Sequence, residues 1–276
     1  MGREKIMLYD IRDTDKAMAT LQRLTGVSSA VWSNEKKKNV CRINYSDVDK
    51  DIERIIKRYN GYYPQINNLE FVITHLTTSG NGCISILNDG LIDLKKAYQK
   101  RDSELRTFLE AKGIEIILDS KCLKYKGKYY DISYVKCPWN HESEEYAAWS
   151  VGRKFYYDFT VCGFLSINKN RPYAGNVHKR PEILMDLDNL LKTNLQNEWI
   201  QSHEAFEIVF KIPFRDILYD GWDSDTEDDI VMSYLTNAYM CMSLEPNTKE
   251  VLCRNETEIY PKQILECNRF TLWDRY

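Results

Sequence analysis

An α+β fold is the class this sequence predicts, on three observations. Runs rich in β-branched and aromatic residues are interspersed with segments of helical spacing, without the regular strand–helix–strand alternation of a parallel sheet. With 276 residues, 43% hydrophobic and 29% charged, the chain has the composition of an ordinary globular protein and enough length for a sizeable core in one large domain or two small ones. It carries no internal repeat and no low-complexity tract.

Residues 1–66 are rich in Lys, Asp and Asn, with two amphipathic segments, Asp13–Leu24 and Ser46–Tyr59, that read as helices N-capped by Asp13 and Ser46. Between them Ser33–Asn39 reads as a solvated turn. This region is a helical cap or extension of a domain over 67–276, or the first part of a single larger domain; a C-terminal extension starts at about 221. Leu69–Ser79 reads as a strand that stops at Ser79-Gly-Asn-Gly82. Helices follow at Cys83–Asp89, ended by Gly90, and at Ser103–Lys112, where Ser103 caps, Glu104 sits in the first turn and Gly113 lies past the end. Ile114–Leu118 is a strand, and Leu123–Tyr125 with Tyr129–Ile132 form a hairpin about Lys126-Gly-Lys128. Tyr156–Ile167 reads as a further strand, followed by a polar loop, Asn168–Pro181. Met185–Ser202 has helical spacing through Leu187, Leu190, Leu191, Leu195 and Trp199, and Ala205–Pro213 alternates as a strand. An acidic loop at Asp223–Asp229, a helix at Ile230–Leu244 and a last strand within Glu258–Phe270 complete the chain.

Several function classes lose support. Thirty-eight Lys and Arg against 41 Asp and Glu give a net charge of -3, which argues against a module that coats nucleic acid with a basic face. No apolar run approaches the ~18–20 residues of a membrane span, and the first residues lack the apolar stretch of a signal peptide, so a cytoplasmic, membrane-free protein is expected. The eight cysteines are scattered without a C-x-x-C pair, as buried thiols of a reducing compartment are, and the glycosylation-like triplets at Asn44 and Asn255 then carry no meaning. Gly80–Ser85 lacks the ending of a P-loop, and no G-x-S-x-G elbow is present. Asp223–Asp229 begins like a calcium loop but has Asp228 at the turn-glycine place and Tyr234 at the twelfth; Cys137 and His141 have no second ligand pair. No metal is expected.

Three features remain, in this order: His75 within Phe71–Thr77, the helix ending Ile86-Leu-Asn-Asp-Gly90-Leu91, and Glu207 opening Glu207-Ile-Val-Phe-Lys-Ile-Pro-Phe-Arg-Asp-Ile217. On these residues the chain resembles the ADP-ribosyltransferase superfamily, in the branch that uses His, an aromatic and Glu, and looks most like its bacterial intracellular toxins and phage-defence members. That branch has His followed by a small residue and Thr or Ser, an Ile-Leu-x-x-Gly-Leu helix, and a late strand with Glu before a run of apolar residues, Val- or Ile-Pro and a distal Ile. The resemblance covers Leu69 to about Ile217; Leu76 stands where Gly is frequent, and no clear Tyr motif marks the middle strand. It implies a split antiparallel β-sandwich with flanking helices, NAD as substrate, and a cytoplasmic macromolecular acceptor, nucleic acid or protein. A toxin would also imply a neutralising antitoxin partner.

Cleaving the nicotinamide–ribose bond builds positive charge on the sugar, so a carboxylate beside it stabilises the transition state and can deprotonate the acceptor. The resemblance gives that role to Glu207, the seating of the adenosine ribose to His75 with Thr77, and the nicotinamide-stacking ring to Tyr157, then Tyr156 or Phe155, with Tyr98 as an outsider. Glu204 replaces Glu207 if the strand begins sooner. Plainer readings stand beside these: His75 as a core histidine, Glu207 as the solvent-facing member of an alternating strand, the tyrosines as packing. The loop 168–180, with Lys169, Arg171, Tyr173, His178, Lys179 and Arg180, has the mixture that seats phosphate and stacks a base. Two other functions share the features: NAD glycohydrolase on the same fold, and a non-catalytic binding or immunity protein.

Overall fold

The structure, a computed structural model, describes residues 6–39, 47–170, 176–218, 226–244 and 246–271. Its first half runs β1 (Met7–Tyr9), α1 (Thr14–Thr25), α2 (Ser29–Asn39), α3 (Val48–Arg58), β2 (Leu69–Ser79), α4 (Ile84–Asp89), α5 (Leu94–Gln99), α6 (Glu104–Ala111), β3 (Ile114–Ile117), β4 (Cys122–Tyr125) and β5 (Lys128–Asp131). There follow α7 (Glu144–Tyr156), β6 (Cys162–Ser166), α8 (Ile183–Leu191), α9 (Leu195–Ile200), β7 (Glu204–Pro213), β8 (Ile217–Leu218), α10 (Glu227–Ser243), β9 (Lys249–Cys253) and β10 (Ile264–Arg269). The fold is mixed α+β with antiparallel sheets, as the sequence predicts. The larger sheet has the order β10-β7-β2-β6-β9-β8, with β1 parallel to β2; the smaller is β3-β4-β5.

The chain forms two compact units, each assembled from three segments. The first comprises Met1–Thr74, Cys162–Asn170 and Val209–Cys253; the second comprises His75–Val161, Arg171–Ile208 and Arg254–Tyr276. Strands β2 and β7 lend residues to both.

In the first unit, Asp13 caps α1 by accepting from the Lys16 N–H at 2.8 Å, and Gly26 ends it at φ 71°. Ile52, Ile55 and Ile56 form the buried stripe of α3, while Ser46, its expected cap, lies outside the described residues. An aromatic cluster closes the core: Tyr9 and Tyr234 both pack on Phe71, with centroids 4.8 and 4.7 Å away, and the Tyr9 hydroxyl donates to the Tyr234 carbonyl at 3.0 Å. The turn expected at Ser33–Asn39 is instead helical, within α2. Trp32 just ahead of it is fully buried edge-on to Tyr239, and anchoring that indole fixes the helix whose charged run the sequence shows.

In the second unit, β3, β4 and β5 pair in the register Ile114↔Tyr125 and Leu123↔Tyr130. The β4–β5 turn places Lys126 and Gly127 at φ 49° and 79°, the left-handed pair of a two-residue hairpin turn. Two expectations fail here. Residues 156–161 are not strand: α7 runs to Tyr156, and β6 begins only at Cys162. The aromatic run at Phe155–Tyr157 looks β-like, but Ala148, Val151, Gly152 and Phe155 are buried at helical spacing, and Ser143 caps the helix at 3.1 Å from the Tyr146 N–H. Gly152 lets α7 approach closely, because a Cβ there would stand 2.0 Å from the Ile132 carbonyl oxygen. Nor is 185–202 one helix. Lys192 ends α8 in the left-handed region, and the Asp188 carboxylate accepts from the backbone N–H groups of Leu195 and Gln196 at 2.6 and 3.1 Å, at the start of a separate helix, α9.

Candidate functional site

All the residues singled out for NAD chemistry fall in the second unit. His75 and Thr77 sit inside β2 and are its half-buried members in this unit, alternating with buried Leu76 and Thr78. Glu207 is half-buried on β7, on the side of Ala205, Val209 and Lys211; Phe206, Ile208, Phe210 and Ile212 fill the other side as core. Glu204 is exposed, and its carboxylate pairs with Arg269 at 2.9 Å, which leaves Glu207 the better-sheltered of the two candidate carboxylates.

β2 and β7 are neighbours in the sheet, so residues about 130 apart in sequence meet in adjoining strands. Their faces are a separate matter. In the first unit Lys211 pairs with Glu70 at 2.9 Å, joining an odd position of β7 to an even position of β2. Unbroken alternation from those points puts Glu207 on the face of Thr74 and Leu76, and His75 on the opposite one. His75 and Glu207 share a face only where the pleat of one strand shifts by a residue.

The four aromatics separate clearly. Phe155, Tyr156 and Tyr98 belong to the core: the Tyr98 hydroxyl accepts from the Ile116 N–H at 3.3 Å, and Tyr156 donates to the Leu118 carbonyl at 3.0 Å. Burial pushes the Tyr156 phenol up to about 12. Tyr157 is the exposed one, 43% accessible at the C-terminus of α7 and on no strand, with its hydroxyl 3.5 Å from the Ser133 carbonyl.

At the exit of β2 the structure shows a network that the sequence reading did not assemble. The Glu104 carboxylate accepts from the Ser79 hydroxyl at 2.7 Å and from the Gly80 N–H at 2.6 Å, and lies 3.5 Å from His203 Nε2. His203 stacks on Trp199 with centroids 3.5 Å apart, and the Trp199 indole N–H donates to Thr78 Oγ1 at 2.8 Å. Burial lowers the pKa of His203. The Glu104 contacts fix the turn after β2, and the Trp199–Thr78 bond with the His203 stack ties α9 to the strand, a structural role. Gly90 has the same character: at φ 88° it ends α4, and Leu91 then bridges Ile259 through two 2.9 Å backbone bonds.

In the loop 168–180, Arg171 and Tyr173 lie outside the described residues. His178 is buried and neither of its ring nitrogens has a hydrogen-bond partner; Lys179 and Arg180 turn instead toward a cleft of about 190 Å³ that Asn176, Asn194, Gln196 and Asn197 also line. Those last three carboxamides were hidden in a stretch read as continuous helix. Among the described residues no His, Cys, Asp or Glu group of three or more is placed to hold a metal, and no helix is long and apolar enough to cross a membrane. No family model, no curated protein and no solved structure matches this chain.

Proposed function

We propose that this protein is an NAD-consuming ADP-ribosyltransferase that modifies a cytoplasmic macromolecule, acting as a bacterial toxin or phage-defence effector. The observation that supports this reading is that the half-buried positions of neighbouring strands β2 and β7 in the second unit include His75, Thr77 and Glu207. These are the residues of the motifs.

In the reaction the bond between nicotinamide and the ribose C1′ breaks, nicotinamide leaves with the bonding electrons, and the acceptor nucleophile bonds to C1′. Glu207 stabilises the positive charge on the sugar and takes the acceptor proton. His75 and Thr77, brought round to the face of Glu207 by a one-residue shift in the pleat, hold the adenosine side, and Tyr157, the exposed ring of the four, stacks on the nicotinamide.

The test is incubation with adenylate-labelled NAD and cell lysate, followed by nuclease or protease. Label should enter a macromolecule, and Glu207→Gln should lower turnover at least ~100-fold with little change in the KM for NAD, whereas His75→Ala should chiefly raise that KM. If His75→Ala changes neither constant while Glu207→Gln abolishes transfer, the regular pleat holds and His75 is core. Release of nicotinamide and free ADP-ribose with no labelled macromolecule would establish the glycohydrolase instead. If NAD is not consumed at all, the enzyme reading falls and a binding protein takes its place.

A further inference from the structure

Among the described cysteines, two from distant parts of the chain meet. The thiols of Cys83, in the turn after β2, and Cys267, on β10, are hydrogen-bonded to each other within the second unit. Both side chains turn inward. Gly82 and Cys83 are left-handed, at φ 76° and 62°, a conformation uncommon for a residue other than glycine, and Cys83 is only 1% exposed. On β10 Cys267 is half-buried, while Leu265, Glu266, Asn268 and Arg269 around it are exposed.

The backbone on each side is anchored. The Cys83 N–H donates to Ser79 Oγ at 2.9 Å, and the Cys83 carbonyl accepts from the Leu87 N–H at 2.9 Å in the first turn of α4. β10 lies beside β7, and just past its end the Phe270 N–H donates to the Ala205 carbonyl at 2.9 Å. A bond between the two sulfurs therefore joins the start of α4 to β10, past the strand β7 that lies between β10 and β2 in the sheet. Cys162 and Cys253 are not such a pair. They lie on paired strands, but Cys162 stands opposite Leu252, so Cys253 belongs to the other face.

We propose that Cys83 and Cys267 are a redox-active pair that a hydroperoxide oxidises to a reversible disulfide. The pair stands apart from the NAD chemistry and does not depend on it. Cys267, the more exposed of the two, reacts first. Its thiolate sulfur attacks one peroxide oxygen, the O–O bond breaks, and Cys267 becomes a sulfenic acid while the other oxygen takes up a proton and leaves as water or alcohol. The Cys83 sulfur then attacks the Cys267 sulfur, the S–S bond forms, and the sulfenic oxygen leaves as water with the Cys83 proton. Two thiols are oxidised and one peroxide is reduced. A small thiol restores the pair by attacking the disulfide. Burial chiefly, with Cys267 beside it, pushes the Cys83 thiol up to about 12, so Cys83 stays protonated and does not meet the oxidant itself. In a reducing compartment such a bond is transient, as a sensing pair requires.

The experiment treats the reduced full chain with hydrogen peroxide, blocks the remaining thiols by alkylation and maps the peptides by mass spectrometry without reduction. The Cys83 and Cys267 peptides should appear linked, with two hydrogens lost, and dithiothreitol should separate them. Because the bond closes a long loop, the oxidised chain should melt about 5–10 °C higher than the reduced one. Cys267→Ser, at a half-buried position, should remove both the link and the rise in Tm. Cys83→Ala should instead leave Cys267 as a sulfenic acid that dimedone captures; if that variant does not fold, Cys267→Ser alone decides. The inference is overturned if no link forms at a peroxide level that fully oxidises the exposed Cys137, if the link joins other cysteines, or if Cys267→Ser keeps the rise in Tm.

Discussion

Gly90 shows how one residue can belong to a motif and to the fold at once. Its φ of 88° with ψ of -173° is a conformation open in practice to glycine alone, and a Cβ there would stand 1.9 Å from the Ile259 carbonyl oxygen that accepts from the Leu91 N–H. Gly90→Ala should therefore destabilise the protein by roughly 2–3 kcal/mol, read as a lower urea midpoint. Gly127→Ala, at φ 79° in open space, is the control and should cost only about 1 kcal/mol. Equal losses would show that the Ile259 contact does not matter. The terminating glycine itself was legible in Ile86–Leu91; its partner Ile259 was not, because nothing in sequence links positions 169 residues apart. The same limit applies to Tyr157, whose neighbours in sequence made it look like a strand residue, while the burial of Phe155 in the core leaves it at a helix end in solvent.

At the scale of elements, α8 and α9 owe their separation to Asp188. Four donors converge on that carboxylate, two of them the backbone N–H groups of Leu195 and Gln196. Asp188→Ala should cost about 2–3 kcal/mol, measured by chemical unfolding, with Asp188→Asn intermediate because it keeps some of these acceptors. Hydrophobic spacing predicts a helix through both segments since Leu187, Leu190, Leu191, Leu195 and Trp199 are all buried. Spacing records which residues face the core, and two short helices can satisfy it as one long helix does. The left-handed Lys192 between them has no signature in sequence. By contrast α1, α6 and the β4–β5 hairpin were legible to within a residue or two, because caps and tight turns are made by neighbours along the chain.

For the whole molecule, His178 and His203 link the second unit to pH. Burial is the leading cause holding both imidazoles below their ordinary pKa; for His178 the charges of Lys179 and Arg180 add to it, and for His203 the Trp199 carbonyl and Glu104 partly oppose it. A folded-state pKa below the unfolded one means that the unfolded chain binds protons first, so their contribution to stability is complete above about pH 6.5 and is lost as pH falls below it. Asp186, raised by burial, works in the opposite direction closer to the ordinary carboxylate range. Urea midpoints should therefore drop between about pH 7 and pH 5.5, and His178→Gln with His203→Gln should flatten that dependence. A profile equally steep in the double variant would mean that other groups carry it.

The sequence by itself determined the α+β class, the strands Leu69–Ser79 and Ala205–Pro213, the capped helices and the hairpin, together with the order of the motif residues, since periodicity, caps and turn glycines act over a few neighbouring residues. Only the tertiary structure decided that β2 and β7 are neighbours, that Glu204 is taken by Arg269, that three of four aromatic candidates are core, and that Lys179 and Arg180 share a cleft with the amides of 194–197. These are contacts between residues far apart along the chain. What selects them is the burial of whole faces and the satisfaction of buried polar groups, which no local pattern records.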